Sequence, residues 1–271
     1  MSWLTAERST RPMGLLRVLL PLIAWSRWGE ELLPYHDLSP DRLALSLAFF
    51  TCTTWMLVGW YGRLATAATA GVMAVIVFGY GRAWGVEDWA HHHTTLLGES
   101  FALLALTPCS ASFSLDRWLV VSRARAAGLP PPPERGPSWA VGLIALQVST
   151  VYFWSAFDKT NLPFLSGARL EQIFVELYWT SDWTSPGWAR LLFFVGGAGA
   201  VALEYTLAVA LWVPRVRGAA LIAGLALHAA FYVLLPVGTF SVTMVALYLA
   251  FVDADAFHRA VDRLLSPSGG E

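Results

Sequence analysis

Residues 151–172 read VYFWSAFDKTNLPFLSGARLEQ and mark the point where an apolar, aromatic helix leaves a membrane. The helix ends on Asp158 and Lys159. Lys159 is the only lysine of the sequence, and the other strongly basic side chains are all arginines. Arginine is effectively always charged, whereas a partly buried lysine can lose its proton. The chain therefore has one amine able to act as a base near neutral pH, and it lies at the end of a membrane helix.

The composition indicates a membrane protein. The chain has 271 residues, of which 56% are hydrophobic and 14% charged, and it contains 14 tryptophans. This is long enough for about eight spanning helices of ~20 residues each plus loops. We expect an all-α, polytopic transmembrane helical bundle with about eight spans and an interfacial amphipathic helix. The net charge of −1 gives no basic surface for nucleic acid, so we expect contacts with membrane lipid and none with nucleic acid.

Eight apolar segments separated by polar loops mark the expected spans: residues 13–29, 43–61, 64–80, 93–107, 139–157, 188–213, 218–235 and 240–252. We expect an N-terminus over 1–12, a membrane domain over 13–255 and a frayed C-terminal tail over 256–271. Arginines concentrate in alternate loops, which by the positive-inside rule places both termini and loop 109–138 in the cytoplasm. Loop 159–187 and the candidate site then face outward from the cell (inner) membrane.

The segment from Leu165 to Tyr178 has the pattern of an amphipathic helix. Its apolar residues recur at spacings of three and four, and Ser166 is suited to cap its start. Two interpretations stay open. The helix could lie flat on the outer leaflet and cover a site, or it could pack on the bundle without any gating role.

Ionisable residues inside spans are costly unless they face a partner or a cavity, so each is a candidate site residue. They are Arg17, Glu99, Lys159, Glu204 and His228, with His93 at a helix start. Glu204 should be protonated, or paired with Arg17 or His228. Ser155 lies one turn before Lys159 on the same face, and Ser241 is a further polar contact. The alternative for Lys159 is a cation that extends to the headgroups and pairs with Asp158.

Three consecutive histidines, His91, His92 and His93, precede the fourth apolar segment. Adjacent side chains on a helix point in different directions, so we expect no metal site. One histidine pointing inward as a hydrogen-bond donor is expected instead, with Glu99 as its partner.

Three groups of residues follow one another along the chain. They are His93-x-x-Leu96-Leu97 with Thr107–Pro108; Val151–Tyr152–Phe153 leading to Lys159; and Glu204, Arg215-x-Arg217, His228 and Phe240–Ser241. Together they resemble the HTTM domain, the transmembrane domain shared by vitamin K-dependent gamma-glutamyl carboxylases and many bacterial membrane proteins. The resemblance covers Leu15 to Asp255.

The resemblance implies a chemistry. In the carboxylases a lysine deprotonates reduced vitamin K, O2 adds to the quinone, and the resulting strong base removes a proton from a glutamate γ-carbon, which then takes up CO2. By position the base would be Lys159, and His93 and His228 would orient the quinone. Further quinone-binding or substrate-binding residues would be His92, Trp154, Ser155, Asp158, Glu99, Glu204, Arg17 and Ser241.

Three functions are weighed. The first is a carboxylase-like membrane enzyme that uses a reduced quinone and acts on a peptide. The second is a non-catalytic membrane scaffold or maturation factor for a secreted peptide, with a separate soluble partner. The third, a small transporter, is disfavoured because no inverted repeat is visible.

Overall fold

A computed structural model describes residues 6–179 and 184–265, and their regular secondary structure is almost entirely α-helical, as expected. Over these residues there are twelve α-helices: α1 (Arg11–Trp28), α2 (Pro40–Val58), α3 (Gly62–Ala74), α4 (His92–Ala105), α5 (Leu115–Ala126), α6 (Trp139–Lys159), α7 (Leu162–Leu165), α8 (Ala168–Tyr178), α9 (Gly187–Ala210), α10 (Arg217–Leu234), α11 (Gly238–Leu247) and α12 (Ala254–Leu265). A π-helical segment, Val75–Ala83, continues α3, and short 3₁₀ turns cover Glu87–Trp89 and Tyr248–Ala250.

The helices belong to two compact units. The first is drawn from Met1–Ala145 and His228–Glu271, and the second from Leu146–Leu227. In the first unit, α1 packs on α2 and α11, α3 lies between α2 and α4, and α11 also contacts α4. Leu16, Leu20, Phe49, Met73 and Phe101 are fully or almost fully buried there.

Arg17 ties three segments of the first unit together. Its side chain is fully buried in α1, and its guanidinium donates to the backbone carbonyl oxygens of Cys109 (3.2 Å), Leu57 (2.9 Å), Met56 and Phe113. These carbonyls lie at the end of α2 and in the turn before α5. A buried arginine with its donors satisfied in this way is a structural tie rather than a surface cation.

The first unit also contains a two-stranded antiparallel ribbon that the sequence did not predict, formed by β1 (Glu7–Ser9) and β2 (Arg135–Pro137). Helix α12 packs on β1 and α1. Ser9 Oγ lies 2.9 Å from His258 Nδ1, and Arg11 forms an ion pair of 2.7 Å with Asp262.

Of the tail expected to be frayed, 256–271, residues 256–265 are helical. They belong to α12, which has an apolar face containing Phe257, Val261 and Leu264, while its polar side chains bond to the ribbon and α1. The rest of that tail, 266–271, lies outside the described residues. So do residues 1–5 of the expected N-terminus and residues 180–183 of the expected outer loop.

In the second unit, the chain after α6 runs back along α9. Thr160 Oγ1 lies 3.0 Å from the Tyr205 hydroxyl, a Cβ on Gly197 would lie 2.5 Å from the Phe164 carbonyl oxygen, and Phe174 contacts Phe193 at 5.5 Å. The expected amphipathic helix is present as α7 and α8. Its N-cap is Gly167, at φ +83°, rather than Ser166. A Cβ on Gly167 would meet the Phe193 backbone at 2.4 Å, which explains the preference for glycine.

Four helical segments among the described residues are long and apolar enough to cross a membrane: Gly62–Ala83, Trp139–Lys159, Gly187–Ala210 and Arg217–Leu234. A fifth is present if Gly238–Ala250 and Ala254–Leu265, bent by 99°, form one broken span. All eight expected segments contain helix, but eight spans are not shown. Helix α1 carries three arginines, and α4 has 14 residues, or ~21 Å at 1.5 Å per residue. The four or five apolar helices of spanning length support a multi-pass membrane protein.

Candidate functional site

Lys159, Ser155 and Glu204 form the centre of the candidate site. Lys159 Nζ donates to Glu204 Oε1 at 2.6 Å, to Glu204 Oε2 at 2.9 Å and to Ser155 Oγ at 2.6 Å. Ser155 Oγ in turn donates to Glu204 Oε1 at 3.2 Å. The predicted one-turn spacing of Ser155 and Lys159 on α6 is therefore seen as a direct hydrogen bond.

The pair is well enclosed. The Glu204 side chain is 2% exposed and that of Lys159 is 22% exposed. Glu204 is paired with Lys159, a partner that the sequence analysis did not name for it. Arg17 is bonded instead to backbone carbonyls. The alternative in which Lys159 pairs with Asp158 is also not seen. Asp158 is exposed, and its backbone oxygen accepts from Asn161 Nδ2 at 2.7 Å.

Glu204 lies within α9, whereas Lys159 is the last residue of α6. Glu204 follows the first residue of α9 by 17 positions, or about 25 Å along the axis at 1.5 Å per residue. Lys159 therefore lies beside the C-terminal third of α9, and the chain from Lys159 to Gly167 runs alongside this helix. In a helix that crosses a membrane, a charged side chain is costly unless it is paired.

Aromatic side chains surround the end of α6. Trp154 contacts Phe153 at 5.6 Å and Phe157 at 5.4 Å between ring centroids, and Phe153 contacts Tyr205 at 5.8 Å. Trp154, predicted as a site residue, is about half exposed. These rings contact one another near the end of α6, and Phe153 and Phe157 are also about half exposed.

A second cluster, in the first unit, contains two of the predicted histidines. The Phe240 ring lies 5.2 Å from the His93 ring and 5.5 Å from the His228 ring. His228 is buried and also contacts Phe231 and Tyr248. Among the described residues, the buried hydroxyl of Ser241, next to Phe240, has no hydrogen-bond partner. Glu99 lies exposed on α4.

The three consecutive histidines converge, contrary to the prediction that their side chains diverge. Their rings lie 4.1–4.6 Å apart between centroids, and one ligand atom from each falls within 4.8 Å of the others. The reason is local: His91 precedes α4 and is extended, with φ −62° and ψ 147°, so helical geometry does not separate the three side chains.

A separate concavity of about 760 Å³ in the first unit was not predicted from sequence. Its lining includes Glu31, Asp41, Tyr80 and Trp89. The guanidinium of Arg42 lies over the rings of Trp89 (4.4 Å) and Tyr80 (5.3 Å). Arg42 of the chain itself therefore occupies the position in which these aromatic rings and carboxylates would favour a bound cation.

Sequence reasoning placed Ser155 beside Lys159 and identified Glu204 as a candidate, but it missed that Glu204 pairs with Lys159. The available signal was that Lys159 and Glu204 are the opposite charges carried by two apolar helices of one unit. Spacing rules join residues within a helix and do not give the register between helices.

The comparisons with known proteins agree with this sequence-based assignment. The family model of the HTTM domain matches residues 38–255, which include Lys159, Glu204, His93, His228 and Phe240. No curated protein and no solved structure matches the chain. Because the matched region takes in most of the sequence, the chain belongs to the HTTM domain family.

Proposed function

We propose that the chain is an integral membrane enzyme of the vitamin K-dependent carboxylase type, in which Lys159 is the general base toward a reduced quinone. The observation that carries the proposal is the hydrogen bond of 2.6 Å between Lys159 Nζ and Glu204 Oε1. It holds the only lysine of the chain beside a buried carboxylate, within a helix pair apolar enough to span a membrane.

A proton can move within the pair without changing its net charge. Moving one proton from Lys159 Nζ to Glu204 converts an ammonium and a carboxylate into an amine and a carboxylic acid. Apolar surroundings disfavour separated charges, which favours the neutral form relative to water. The neutral amine can then accept a proton from an acidic hydroxyl. Ser155 Oγ, which bonds both groups, fixes their orientation.

A reduced quinone is the substrate proposed for this base. Its hydroxyl group needs a base, which Lys159 would supply, and its flat ring needs apolar contacts, for which the half-exposed rings of Phe153, Trp154 and Phe157 on the same helix are candidates. When bound, the reduced quinone would supply the electrons that activate O2, with CO2 and a peptide glutamate as further reactants in the carboxylase manner.

The test is turnover by the purified full chain in nanodiscs, with vitamin K hydroquinone as the probe. Oxygen consumption and the oxygenated quinone product are measured, the latter by mass spectrometry. We expect Lys159→Arg to keep a cation beside Glu204 but to lose at least ~100-fold in rate, because arginine cannot act as the base. Gln172→Ala, an exposed change on α8, is the matched control and should retain the wild-type rate. Equal rates for Lys159→Arg and the wild type would overturn the proposal.

A second candidate is a non-catalytic membrane scaffold or maturation factor for a secreted peptide. The observation favouring it is that Lys159 Nζ has acceptors in Ser155 and both Glu204 oxygens, as a structural ion pair between α6 and α9 would. This function predicts that a soluble partner is recovered from membranes in an amount equal to that of the chain. The partner should still be recovered when Lys159 and Glu204 are both replaced by Met. An enzyme dependent on the amine would lose turnover in the same double variant.

A further inference from the structure

His91, His92 and His93 have the geometry of an incomplete coordination shell. One ligand nitrogen from each lies within 4.8 Å of the other two. In a metal site with metal–nitrogen distances of about 2.1 Å, neighbouring nitrogens are about 3.0–3.4 Å apart. Small rotations of the imidazoles would close this difference, with no change of the backbone.

The backbone that carries the three rings is fixed by its own hydrogen bonds. The His91 carbonyl oxygen accepts from the amides of Thr94 and Thr95, each at 3.0 Å, and Thr94 Oγ1 donates to the Trp89 carbonyl oxygen at 2.8 Å. The histidine turn is therefore held from both sides. A site whose supporting backbone is already ordered loses less entropy when an ion binds.

The three histidines differ in exposure in a way that suits an ion arriving from solvent. His91 and His92 are exposed, whereas His93 is half-buried with its ring against Phe240 at 5.2 Å. One ligand is thus positioned by packing, and two can move to meet the ion. The side facing solvent remains open for water or another ligand.

We propose that His91, His92 and His93 bind a borderline divalent transition-metal ion, such as Zn²⁺, through three imidazoles with one coordination position open. Imidazole nitrogen is a preferred ligand of Zn²⁺, Cu²⁺ and Ni²⁺, and three protein ligands plus an exchangeable one is the arrangement of catalytic zinc sites. Hard ions such as Mg²⁺ and Ca²⁺ prefer oxygen ligands and should not compete. The site goes beyond the proposed function and is measured without any quinone.

The experiment uses the full chain in detergent, purified through a tag without histidines and stripped of metal by a chelator. Titration with Zn²⁺ is followed by calorimetry, in competition with an excess of Mg²⁺. We expect one ion per chain, and an affinity lowered about tenfold or more by each of His91→Asn, His92→Asn and His93→Asn. His36→Asn, an exposed histidine change in the same unit, is the control and should bind as the wild type does.

Two outcomes would overturn the proposal. One is an affinity for Zn²⁺ that His93→Asn leaves unchanged, in a variant that still elutes as a monodisperse species. Binding would then depend only on the two exposed histidines, His91 and His92, and would be adventitious. The other is unchanged binding in the double variant His91→Asn/His92→Asn, whose changes are both exposed and leave the fold intact. Titration with Co²⁺ gives an independent measurement. The wild type should develop the intense visible absorption of low-coordinate cobalt, and a spectrum identical to that of hydrated Co²⁺ would also overturn the proposal.

Discussion

Lys159 Nζ lies 2.6 Å from Glu204 Oε1, so the only lysine of the chain is paired with a carboxylate that is 2% exposed. The two residues are 45 positions apart and belong to different helices of the same unit. The pair therefore fixes the register of α6 against α9. It also brings a proton acceptor to the one side chain able to act as an amine base.

The pair predicts strongly non-additive effects on stability. Lys159→Met alone leaves a buried carboxylate without its cation and should lower the free energy of unfolding by about 3–5 kcal/mol. Lys159→Met combined with Glu204→Met removes both charges, and it should recover most of that loss, because apolar groups of similar volume replace a buried ion pair at little cost. Thermal unfolding in detergent measures the cycle. Additive losses would show that the two side chains do not interact in the folded protein.

The close approach of α7 to α9 predicts opposite outcomes at two glycines of the same helix. A Cβ on Gly197 would lie 2.5 Å from the Phe164 carbonyl oxygen, whereas a Cβ on Gly199 would meet nothing within 4 Å. Gly197→Ala should therefore destabilise the protein by about 1–3 kcal/mol through overpacking. Gly199→Ala should be neutral or stabilise by up to about 1 kcal/mol, since alanine favours the helix.

Thermal unfolding of these two variants, prepared side by side, checks the contact. Equal midpoints for Gly197→Ala and Gly199→Ala would mean that the chain after α6 does not run along α9.

The buried contacts of Arg17 predict that replacing it with lysine, although the charge is kept, destabilises the protein. Its guanidinium donates to four backbone carbonyls from a fully buried position, which the single ammonium of a lysine cannot reproduce. Arg17→Lys should cost about 2 kcal/mol or more, because carbonyls left unsatisfied in the interior each cost about 1–3 kcal/mol. Arg8→Lys, at an exposed position of β1, is the control and should change the midpoint little. A tolerated Arg17→Lys would contradict the structural role.

The sequence predicted the helices far better than the spans or the contacts. Long apolar runs mark α6, α9 and α10 directly, because helix formation and membrane burial depend on the same local composition. The short helices α4 and α11 gave the same signal, yet they fall below the length needed to cross ~30 Å of hydrocarbon. The β1–β2 ribbon has strands of three residues, too short for any alternation to show.

The candidate site divides in the same way. Ser155 and Lys159 share a helix face, so their contact follows from spacing alone. Glu204 was identified by its cost in an apolar helix, but its partner depends on how α6 and α9 are aligned, which local rules do not determine. The convergence of His91 with His92 and His93 was missed because all three side chains were treated as lying on a helix, whereas His91 precedes α4 in an extended conformation.

The hydrogen bond from the Tyr80 hydroxyl to Asp41 Oδ2, 2.9 Å long, predicts a pH-dependent effect on stability. This bond holds the pKa of the Asp41 carboxyl below its usual value, and the Arg42 guanidinium lies 5.3 Å from the centre of the Tyr80 ring. A depressed pKa in the folded state means that the contribution is fully present above about pH 4 and is lost as the pH falls through the folded value. Tyr80→Phe should therefore lower the midpoint of thermal unfolding at pH 7, and its difference from the wild type should shrink steadily below about pH 4. Tyr35→Phe, at an exposed position, should show neither effect. A Tyr80→Phe difference that is constant from pH 7 to pH 3 would show that the lost stability comes from packing of the ring edge and not from the bond to Asp41.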